Sequence, residues 1–172
     1  MKKGKWIAVI IDILAVIILL IADQYTKYLA VLHLKGQPAF GLIDGVLELQ
    51  YLENRGAAFG MLQNKKALFI FMSIVMLTVA FYVILKLPQN KKYTPWHVFL
   101  CFICAGGIGN MIDRVRLEYV VDFIYFKLID FPIFNVADIL ITIGTILFFL
   151  VILFFTKEEE LSFLKFNIRK DS

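Results

Sequence analysis

The chain has 172 residues, of which 60% are hydrophobic, and its mean hydropathy is +0.80. Soluble domains are usually about 45–50% apolar, so this composition excludes an ordinary soluble domain. The net charge of +4 comes from basic residues scattered near the ends of apolar segments rather than gathered on one face, which excludes a nucleic-acid-binding surface.

Four apolar blocks account for the high hydropathy. In chain order they cover about residues 6–22, 67–87, 96–112 and 136–155. Each is about 17–21 residues long, enough at about 1.5 Å per residue to cross most or all of a hydrocarbon core of about 30 Å. We therefore predict an all-α membrane protein with four transmembrane helices, forming a single integral domain over residues 1–172. The first block precedes no small-residue cleavage site, so we predict a retained helix.

The segment between the first two blocks, residues 36–64, is polar and is predicted to be a β-rich outer loop. Turn-forming residues punctuate its start: Gly36, Pro38, Gly41 and Gly45. Residues 46–53 then alternate apolar and polar side chains, which predicts a strand. A turn and a second short strand are predicted around residues 57–59, and residues 120–125 predict another strand. We expect a small sheet on the outer membrane surface. The backbone groups at its edges should be paired or in contact with water, because lipid offers no hydrogen bonds.

Basic residues near the helix ends decide the predicted orientation. With the amino terminus in the cytoplasm, the short cytoplasmic segments carry 10 of the 18 lysines and arginines. Their basic density is higher than that of the longer outer segments, as the positive-inside rule requires. We therefore predict both termini in the cytoplasm, residues 23–66 and 113–135 outside, and an exposed cytoplasmic tail over residues 157–172.

The residues available exclude several catalytic chemistries. The three serines have no nearby histidine and no evident activating lysine, and the two histidines, His33 and His97, are predicted on opposite membrane faces. The sequence contains no H-E-x-x-H zinc motif and no phosphate-binding loop ending in Lys-Ser or Lys-Thr, so we expect no metal and no cofactor. Cys101 and Cys104 lie inside the third block, where thiols are poorly placed to ionise, so we predict packing residues rather than a redox pair.

The remaining chemistry is acidic and lies near the predicted outer face. Asp122 and Asp138 border apolar runs, where a carboxylate is expensive, and the same stretch carries Asn110, Arg114 and Asn135. Two carboxylates held close together cannot both ionise comfortably, so one keeps a proton near neutral pH. The ionised one can take a proton from an attacking water while the protonated one binds an amide carbonyl. Such a pair would hydrolyse a peptide bond, although alternation along the strand leaves open that Asp122 faces water.

Each of these residues also allows a structural interpretation. Asn135 and Asp138 are spaced as the N-cap and N3 residues of a helix. Asp23 and Lys27 are spaced for an i, i+4 ion pair, and Arg114 can anchor a helix end at the lipid headgroups. At the level of function, a small transporter or proton-conducting protein and a noncatalytic adaptor that binds signal helices are alternatives to a protease.

Five short segments form a pattern along the chain. They are Asp23-Gln24-Tyr25-Thr26-Lys27, Asn54-Arg55-Gly56-Ala57-Ala58-Phe59-Gly60, Gly106-Gly107-Ile108-Gly109-Asn110-Met111-Ile112-Asp113-Arg114, Val121-Asp122-Phe123 and Phe134-Asn135-Val136-Ala137-Asp138. In this order the segments resemble the lipoprotein signal peptidases (signal peptidase II). Helix count, length and motif spacing all fit, and the resemblance covers nearly the whole chain. Arg55 departs from the family pattern, in which a small polar residue or lysine is expected, but it belongs to no proposed catalytic group.

The resemblance implies an intramembrane aspartic endopeptidase. Such an enzyme removes the signal peptide from prolipoproteins that already carry diacylglycerol, cleaving just before the lipidated cysteine at the outer membrane interface. By position, Asp122 and Asp138 would be the catalytic dyad, and the substrate-binding or supporting residues would be Asp23, Asn54, Gly56, Asn110, Arg114 and Asn135. The implied location is a bacterial plasma membrane, with the active site at the extracytoplasmic face. The expected partners are the lipid-modified prolipoprotein and membrane lipids, with no nucleic acid, and we expect a monomer.

Overall fold

The computed structural model of the chain describes residues 2–56, 65–88, 90–154 and 156. The elements are, in chain order, α1 (Lys2–Leu34), β1 (Phe40–Ile43), β2 (Leu47–Asn54), α2 (Lys66–Lys86), α3 (Thr94–Leu117), β3 (Val120–Phe126) and α4 (Val136–Phe154). Short 3₁₀ turns at Lys91–Tyr93 and Lys127–Ile129 precede α3 and follow β3. The four α-helices of the described residues are all long and apolar enough to cross a membrane. The predicted fold, a helical membrane protein with a small sheet, is therefore confirmed.

The first helix is much longer than predicted. The prediction ends it near residue 22, because a polar segment follows, but α1 continues to Leu34. No glycine or proline occurs between Asp23 and Gly36, so nothing in the backbone stops the helix. Asp23 and Lys27 are both buried, which shows that the polar residues lie on an inward face of one continuous helix. The polarity of this segment therefore marks a buried site and not the end of the helix.

The other three helices agree with the predicted blocks to within two residues at most ends. The exception is the carboxyl end of α3, which is predicted near residue 112 but lies at Leu117. Asp113 and Arg114 are consequently on a helix rather than in a loop. The strand predicted around residues 57–59 and the tail predicted over residues 157–172 lie outside the described residues.

The sheet of the described residues has three antiparallel strands in the order β1-β2-β3. The strands predicted at residues 46–53 and 120–125 are confirmed as β2 and β3. The prediction omits β1, although an Asp-Gly pair between apolar residues is a typical hairpin signal. Gly45 has a φ of +70°, and Val46 N donates a hydrogen bond to Ile43 O at 2.9 Å. The glycine that indicates a loop in the sequence thus forms the turn of a hairpin.

β3 also pairs with a short return of the chain on its other side. An isolated bridge joins Ile124 to Phe134. Phe123 N and Ile124 N donate hydrogen bonds to Phe134 O at 3.0 and 2.8 Å, and Phe134 N donates to Ile124 O at 3.0 Å. These bonds place Phe134, two residues before α4, beside the middle of β3.

α3 is the central helix among the described elements. It packs against α1, α2 and α4, and 56% of its apolar stretch is buried, compared with 17%, 11% and 22% for those helices. Glycines permit this close packing: a Cβ added at Gly106 would clash with the carbonyl oxygen of Ala137, and one at Gly109 would clash with the carboxylate of Asp23. Small residues on α3 therefore bring α1 and α4 close to it.

At the end away from the sheet, the helices pack around an apolar cluster that includes Trp96 and Cys104. A polar pair lies beside this cluster: the buried Asp12 of α1 and the half-buried His97 of α3, whose Oδ2 and Nδ1 atoms are 2.7 Å apart. The Sγ atom of Cys101 lies 3.8 Å from Asp12 Oδ1. Both cysteines are buried and free, which fits a packing role.

Candidate active site

The acidic and amide residues noted in the sequence meet at the sheet end of the helices. Asp122 lies on β3, Asp138 in the first turn of α4, and Asn110 near the end of α3. All three line a cavity of about 690 Å³ between α2 and α4. The other predicted residues on its lining are Asn54, Gly56 and Arg114. Side chains from widely separated parts of the chain therefore converge on one site.

Asp122 is almost fully buried, with 1% of its surface exposed. Its Oδ2 accepts a hydrogen bond from Asn54 Nδ2 at 2.8 Å, and its Oδ1 accepts one from Asn135 Nδ2 at 2.6 Å. Alternation along the strand would allow this side chain to face water, but Val121 and Phe123 are buried as well. Both faces of this part of β3 are covered, so Asp122 points into the protein.

Asp138 is both a helix cap and a cavity residue. Its Oδ2 accepts a hydrogen bond from Asn135 N at 3.1 Å, and Asn135 Oδ1 accepts one from Asp138 N at 3.0 Å, which is a reciprocal capping box. Its other oxygen, Oδ1, accepts a hydrogen bond from Asn110 Nδ2 at 2.8 Å. The capping interpretation and the site interpretation are therefore compatible, because each uses a different carboxylate oxygen.

Asn135 contacts both aspartates and is itself fully buried. Its side-chain Nδ2 donates to Asp122, while its backbone N donates to Asp138. Nδ2 also lies 3.2 Å from Asn110 Oδ1. Because the helix cap fixes the Asn135 amide with its oxygen towards α4, the amide nitrogen must face Asp122. One residue thus joins the two acids into a single hydrogen-bonded unit.

The environment of Asp122 disfavours negative charge. Burial first, and then the charge of Asp138, raise the pKa of Asp122 to about 7. The hydrogen bonds from Asn54 and Asn135 oppose this rise, because they favour the ionised carboxylate. Asp122 therefore keeps its proton to a higher pH than an exposed carboxyl group does, and two interacting acids titrate in shared steps.

Arg114 and Gly56 lie on the side of the cavity nearest the sheet. Arg114 Nη2 donates a hydrogen bond to Gly56 O at 3.2 Å, and the guanidinium carbon lies 4.5 Å from the centre of the Phe69 ring. Gly56 N donates to Asn54 Oδ1 at 3.0 Å, which turns the Asn54 amide nitrogen towards Asp122. Arg114 therefore lines the cavity. A side chain that only anchored the helix end at the lipid headgroups would not need to face the cavity.

Asp23 lies behind the cavity and not in it. It is fully buried, its Oδ1 accepts a hydrogen bond from Ala137 N at 2.8 Å, and its Oδ2 is 3.0 Å from Lys27 Nζ. The i, i+4 ion pair with Lys27 exists as the spacing allows, but it is buried instead of exposed. Asp23 thus supports the start of α4.

Two buried charged residues of the site, Lys27 and Asp113, are not among the predicted site residues; the sequence gives Lys27 only an ion pair with Asp23. Their charged atoms are 3.0 Å apart, and Lys27 Nζ also donates to Asn110 Oδ1 at 2.8 Å. A weak signal exists in the sequence, because Lys27 follows Asp23 by four residues and Asp113 follows Asn110 by three. Each pair shares a helix face, but the same spacing is typical of exposed faces.

Within the described part of the chain, no group of three or more His, Cys, Asp or Glu side chains could hold a metal ion. The neighbours of the two acids are amide groups that donate hydrogen bonds to them. The absence of a metal requirement stays a prediction.

Known proteins resemble this chain over most of its length. A family model described as signal peptidase (SPase) II matches residues 15–154. The lipoprotein signal peptidase of Caldanaerobacter subterraneus subsp. tengcongensis is 51% identical over 126 residues, which cover 73% of this chain and 83% of that protein. The lipoprotein signal peptidase of Streptococcus thermophilus is 42% identical over 139 residues, which cover 80% of this chain and 89% of that protein.

Two solved structures of bacterial membrane enzymes share the fold. One has a TM-score of 0.73 and 35% identity, covering 83% of this chain and 87% of the other. The second has a TM-score of 0.74 and 36% identity, covering 84% of this chain and 94% of the other. Sequence and fold thus agree, and the chain belongs to the signal peptidase II family of proteases, the lipoprotein signal peptidases.

Proposed function

We propose that this chain is the aspartic endopeptidase that removes the signal peptide from lipid-modified prolipoproteins, with Asp122 and Asp138 as its catalytic dyad. The bond cleaved is the one just before the lipidated cysteine. The observation that carries the proposal is the unit in which Asn135 contacts both acids at the wall of an open cavity. The names of the relatives support the choice of substrate.

The dyad performs the reaction by taking a proton from water and delivering a proton to the peptide nitrogen. With one proton on the pair, the ionised carboxylate takes a proton from water as the water oxygen attacks the peptide carbonyl carbon. The protonated carboxyl group donates a hydrogen bond to the carbonyl oxygen and stabilises the charge that develops there. A proton then passes to the amide nitrogen, the C–N bond breaks, and the pair again holds one proton. One water and one peptide bond are consumed, and an acid and an amine are formed.

The cavity suits a substrate that is part peptide and part lipid. Its polar end carries the dyad with Asn54 and Arg114, and its sides are apolar residues of α2 and α4, among them Met72, Met76, Ile139 and Ile143. A peptide bond accessible to water must lie in an unwound segment, and amide and guanidinium groups can satisfy the backbone groups freed there. The apolar sides can hold the signal helix and the acyl chains.

The remaining site residues are assigned supporting roles. The residues proposed to bind the substrate backbone and shape the site are Asn54, Gly56, Asn110, Arg114 and Asn135, and Asp23 supports the start of α4. We also propose a single integral domain that acts as a monomer among membrane lipids. The family supports a bacterial plasma membrane as the location. The basic residues near the helix ends support an orientation with both termini in the cytoplasm and the site at the extracytoplasmic face.

The test is cleavage of a purified lipidated precursor by purified variants. Asp122→Asn and Asp138→Asn each remove one ionisable group and keep the side-chain shape. We expect the rate to fall about 100- to 10,000-fold in each, because general acid–base catalysis contributes that much, while thermal unfolding shows a folded enzyme. Asp130→Asn is the matched control, because Asp130 is exposed and accepts a hydrogen bond from the Tyr125 hydroxyl outside the cavity. A chelator should leave the rate unchanged.

Retained cleavage by either folded dyad variant would contradict the assignment of the dyad. Precursor binding without cleavage by the unmodified chain would favour a noncatalytic adaptor. Ion flux without cleavage would favour a transporter.

A further inference from the structure

A buried ammonium group lies directly behind the two acids. The side chain of Lys27, on α1, is 4% exposed. Its Nζ atom is 3.0 Å from Asp23 Oδ2, 3.0 Å from Asp113 Oδ2 and 2.8 Å from Asn110 Oδ1. An ammonium group has three hydrogen-bond donors, and each of these donors has an acceptor. Lys27 is absent from the residues that line the cavity in the described part of the chain.

Two of the three acceptors hold the backbone beside a catalytic acid. Asp23 Oδ1 accepts a hydrogen bond from Ala137 N at 2.8 Å, one residue before Asp138. Asp113 Oδ2 accepts one from Val121 N at 3.2 Å, one residue before Asp122. The two carboxylates that neutralise Lys27 therefore each fix the main chain that carries one member of the dyad.

The third acceptor, Asn110, links Lys27 to the dyad through a side chain. Asn110 Oδ1 accepts hydrogen bonds from Lys27 Nζ and Asn135 Nδ2, and Asn110 Nδ2 donates to Asp138 Oδ1 at 2.8 Å. An amide can rotate by half a turn and exchange its oxygen and nitrogen. With two donors facing the oxygen, only one orientation of Asn110 satisfies all partners, and it presents a donor to Asp138.

We propose that Lys27 is a positioning residue for the catalytic dyad: its ammonium group holds three neighbours in the places from which they fix both acids. The inference rests on the proposed function. Because Lys27 lies outside the cavity lining, its loss acts on kcat more than on KM. A buried salt bridge with a purely structural role would change the folded fraction and leave kcat per folded enzyme unchanged.

The charge of Lys27 adds a second, measurable effect. The charged groups that face Asp122 are Asp138 from α4, Arg114 from α3 and Lys27 from α1. Lys27 lowers the pKa of Asp122 and so opposes Asp138. Removal of the ammonium group should therefore raise the pH at which the dyad loses its last proton.

Lys27→Met alone would leave two buried carboxylates without a cation and is expected to fold poorly. We therefore compare Asp113→Asn with Asp113→Asn/Lys27→Met. The double variant has the same net charge in this cluster as the natural chain, and the amide introduced by Asp113→Asn retains an oxygen that can accept from Val121 N. The comparison isolates the ammonium group. Lys35→Met is the surface control, because Lys35 is exposed and paired with Glu53.

We expect the Lys27 change to lower kcat about 10- to 100-fold, as a small misplacement of reacting groups does, with KM changed less than about threefold. The pH above which kcat falls should be higher by about one pH unit. Lys35→Met should match the natural chain. Equal kcat values and coincident pH profiles in the two compared variants would overturn the inference.

A measurement without substrate separates this inference from the proposed function. Infrared titration can follow the protonated carboxyl group of Asp122, identified as the signal that Asp122→Asn removes. We expect its midpoint to lie higher in the double variant than in Asp113→Asn. An unmoved midpoint overturns the role of Lys27 even if cleavage is normal. A raised midpoint in a chain that cleaves no precursor supports the role of Lys27 and refutes the proposed protease.

Discussion

The two ends of α3 bury carboxylates of α1 in different ways. At the end away from the sheet, Asp12 pairs with His97 beside an apolar cluster. At the sheet end, Asp23 pairs with Lys27 and also holds Ala137 N at the start of α4. The first arrangement joins only α1 and α3 among the described contacts of Asp12. The second extends to β3 and α4 and ends at two further acids beside a cavity.

This difference separates a buried carboxylate that is connected to the candidate site from one that joins only two helices. A buried carboxylate with a close polar partner occurs at both ends, so neither property identifies a site. The sheet end differs because its hydrogen bonds continue from one element to the next until they reach Asp122 and Asp138. A continuous network fixes the geometry that a reaction requires. An isolated pair satisfies only the hydrogen-bonding groups of its own two side chains.

The largest expected effect comes from cutting the network between the two acids. Asn135→Ala removes the hydrogen bond to Asp122 Oδ1 and the side-chain cap of α4. We expect kcat to fall about 100-fold or more, because the Asn135 side chain no longer fixes the two acids relative to each other. The free energy of unfolding should fall by about 1 kcal/mol, because the helix cap is lost. Both are measured on purified enzyme. Asn90→Ala is the matched control at the opposite end, where Asn90 Oδ1 caps a 3₁₀ turn. An equal loss of kcat in Asn90→Ala would show that the loss does not depend on contact with the two acids.

The next effect is the dependence of the rate on pH. The pKa of Asp122 is raised to about 7, so the pair keeps its shared proton below that pH and loses it above. We expect kcat/KM, which reports groups of the free enzyme, to fall about tenfold per pH unit above about pH 7. Circular dichroism over the same range should show an unchanged fold. A flat profile from about pH 6 to pH 9 would exclude a catalytic proton on this pair.

A smaller effect is expected when the packing behind the network is disturbed. A Cβ at Gly109 would clash with the carboxylate of Asp23, which must then shift from Lys27 and Ala137. We expect Gly109→Ala to lower kcat about tenfold and the free energy of unfolding by about 1–3 kcal/mol. Gly41→Ala is the control, because its new Cβ would lie 3.5 Å from the nearest atom, an ordinary contact. Natural kcat in a folded Gly109→Ala enzyme would show that Asp23 need not be held in place.

The smallest effect on catalysis is expected at the other end of α3. Asp12→Ala leaves the ring nitrogen of His97 without its carboxylate, which should lower the free energy of unfolding by about 1–3 kcal/mol. The kcat of the folded enzyme should stay within about twofold of the natural value, because no described contact links Asp12 to the dyad. Thermal unfolding and cleavage measured on the same sample separate the two quantities. A large loss of kcat would mean that the two ends are coupled.

The sequence predicts the helices well because membrane-length apolar blocks are a strong signal. It predicts the end of α1 poorly, because Asp23 and Lys27 resemble the polar flank of a span when no neighbour is known. Their burial follows from packing against α3, which no single-helix pattern contains. The same reasoning explains the end of α3, where Asp113 contacts Val121 and Arg114 contacts Gly56.

The site is predicted in its acids and amides but not in its supporting cation. Asp122 and Asp138 stand out because acids beside apolar runs are rare. Lys27 does not, because a lysine four residues after an aspartate is common on exposed helices. The double use of Asp138 could not be read from spacing either, since a cap and a site residue have the same position in the sequence. Only the separate partners of its two oxygens distinguish the roles.

The backbone pairing of Ile124 with Phe134 has a consequence for how this protein can vary. It closes the intervening loop at its base, with Asp122 just before the closure and Asn135 just after it. The tip of this loop, near Leu128 and Ile129, is exposed. An insertion or deletion at this tip would change the contacts of Leu128 N with Val46 O and of Lys127 with Glu48, but not the separation of Asp122 and Asn135 across the closure.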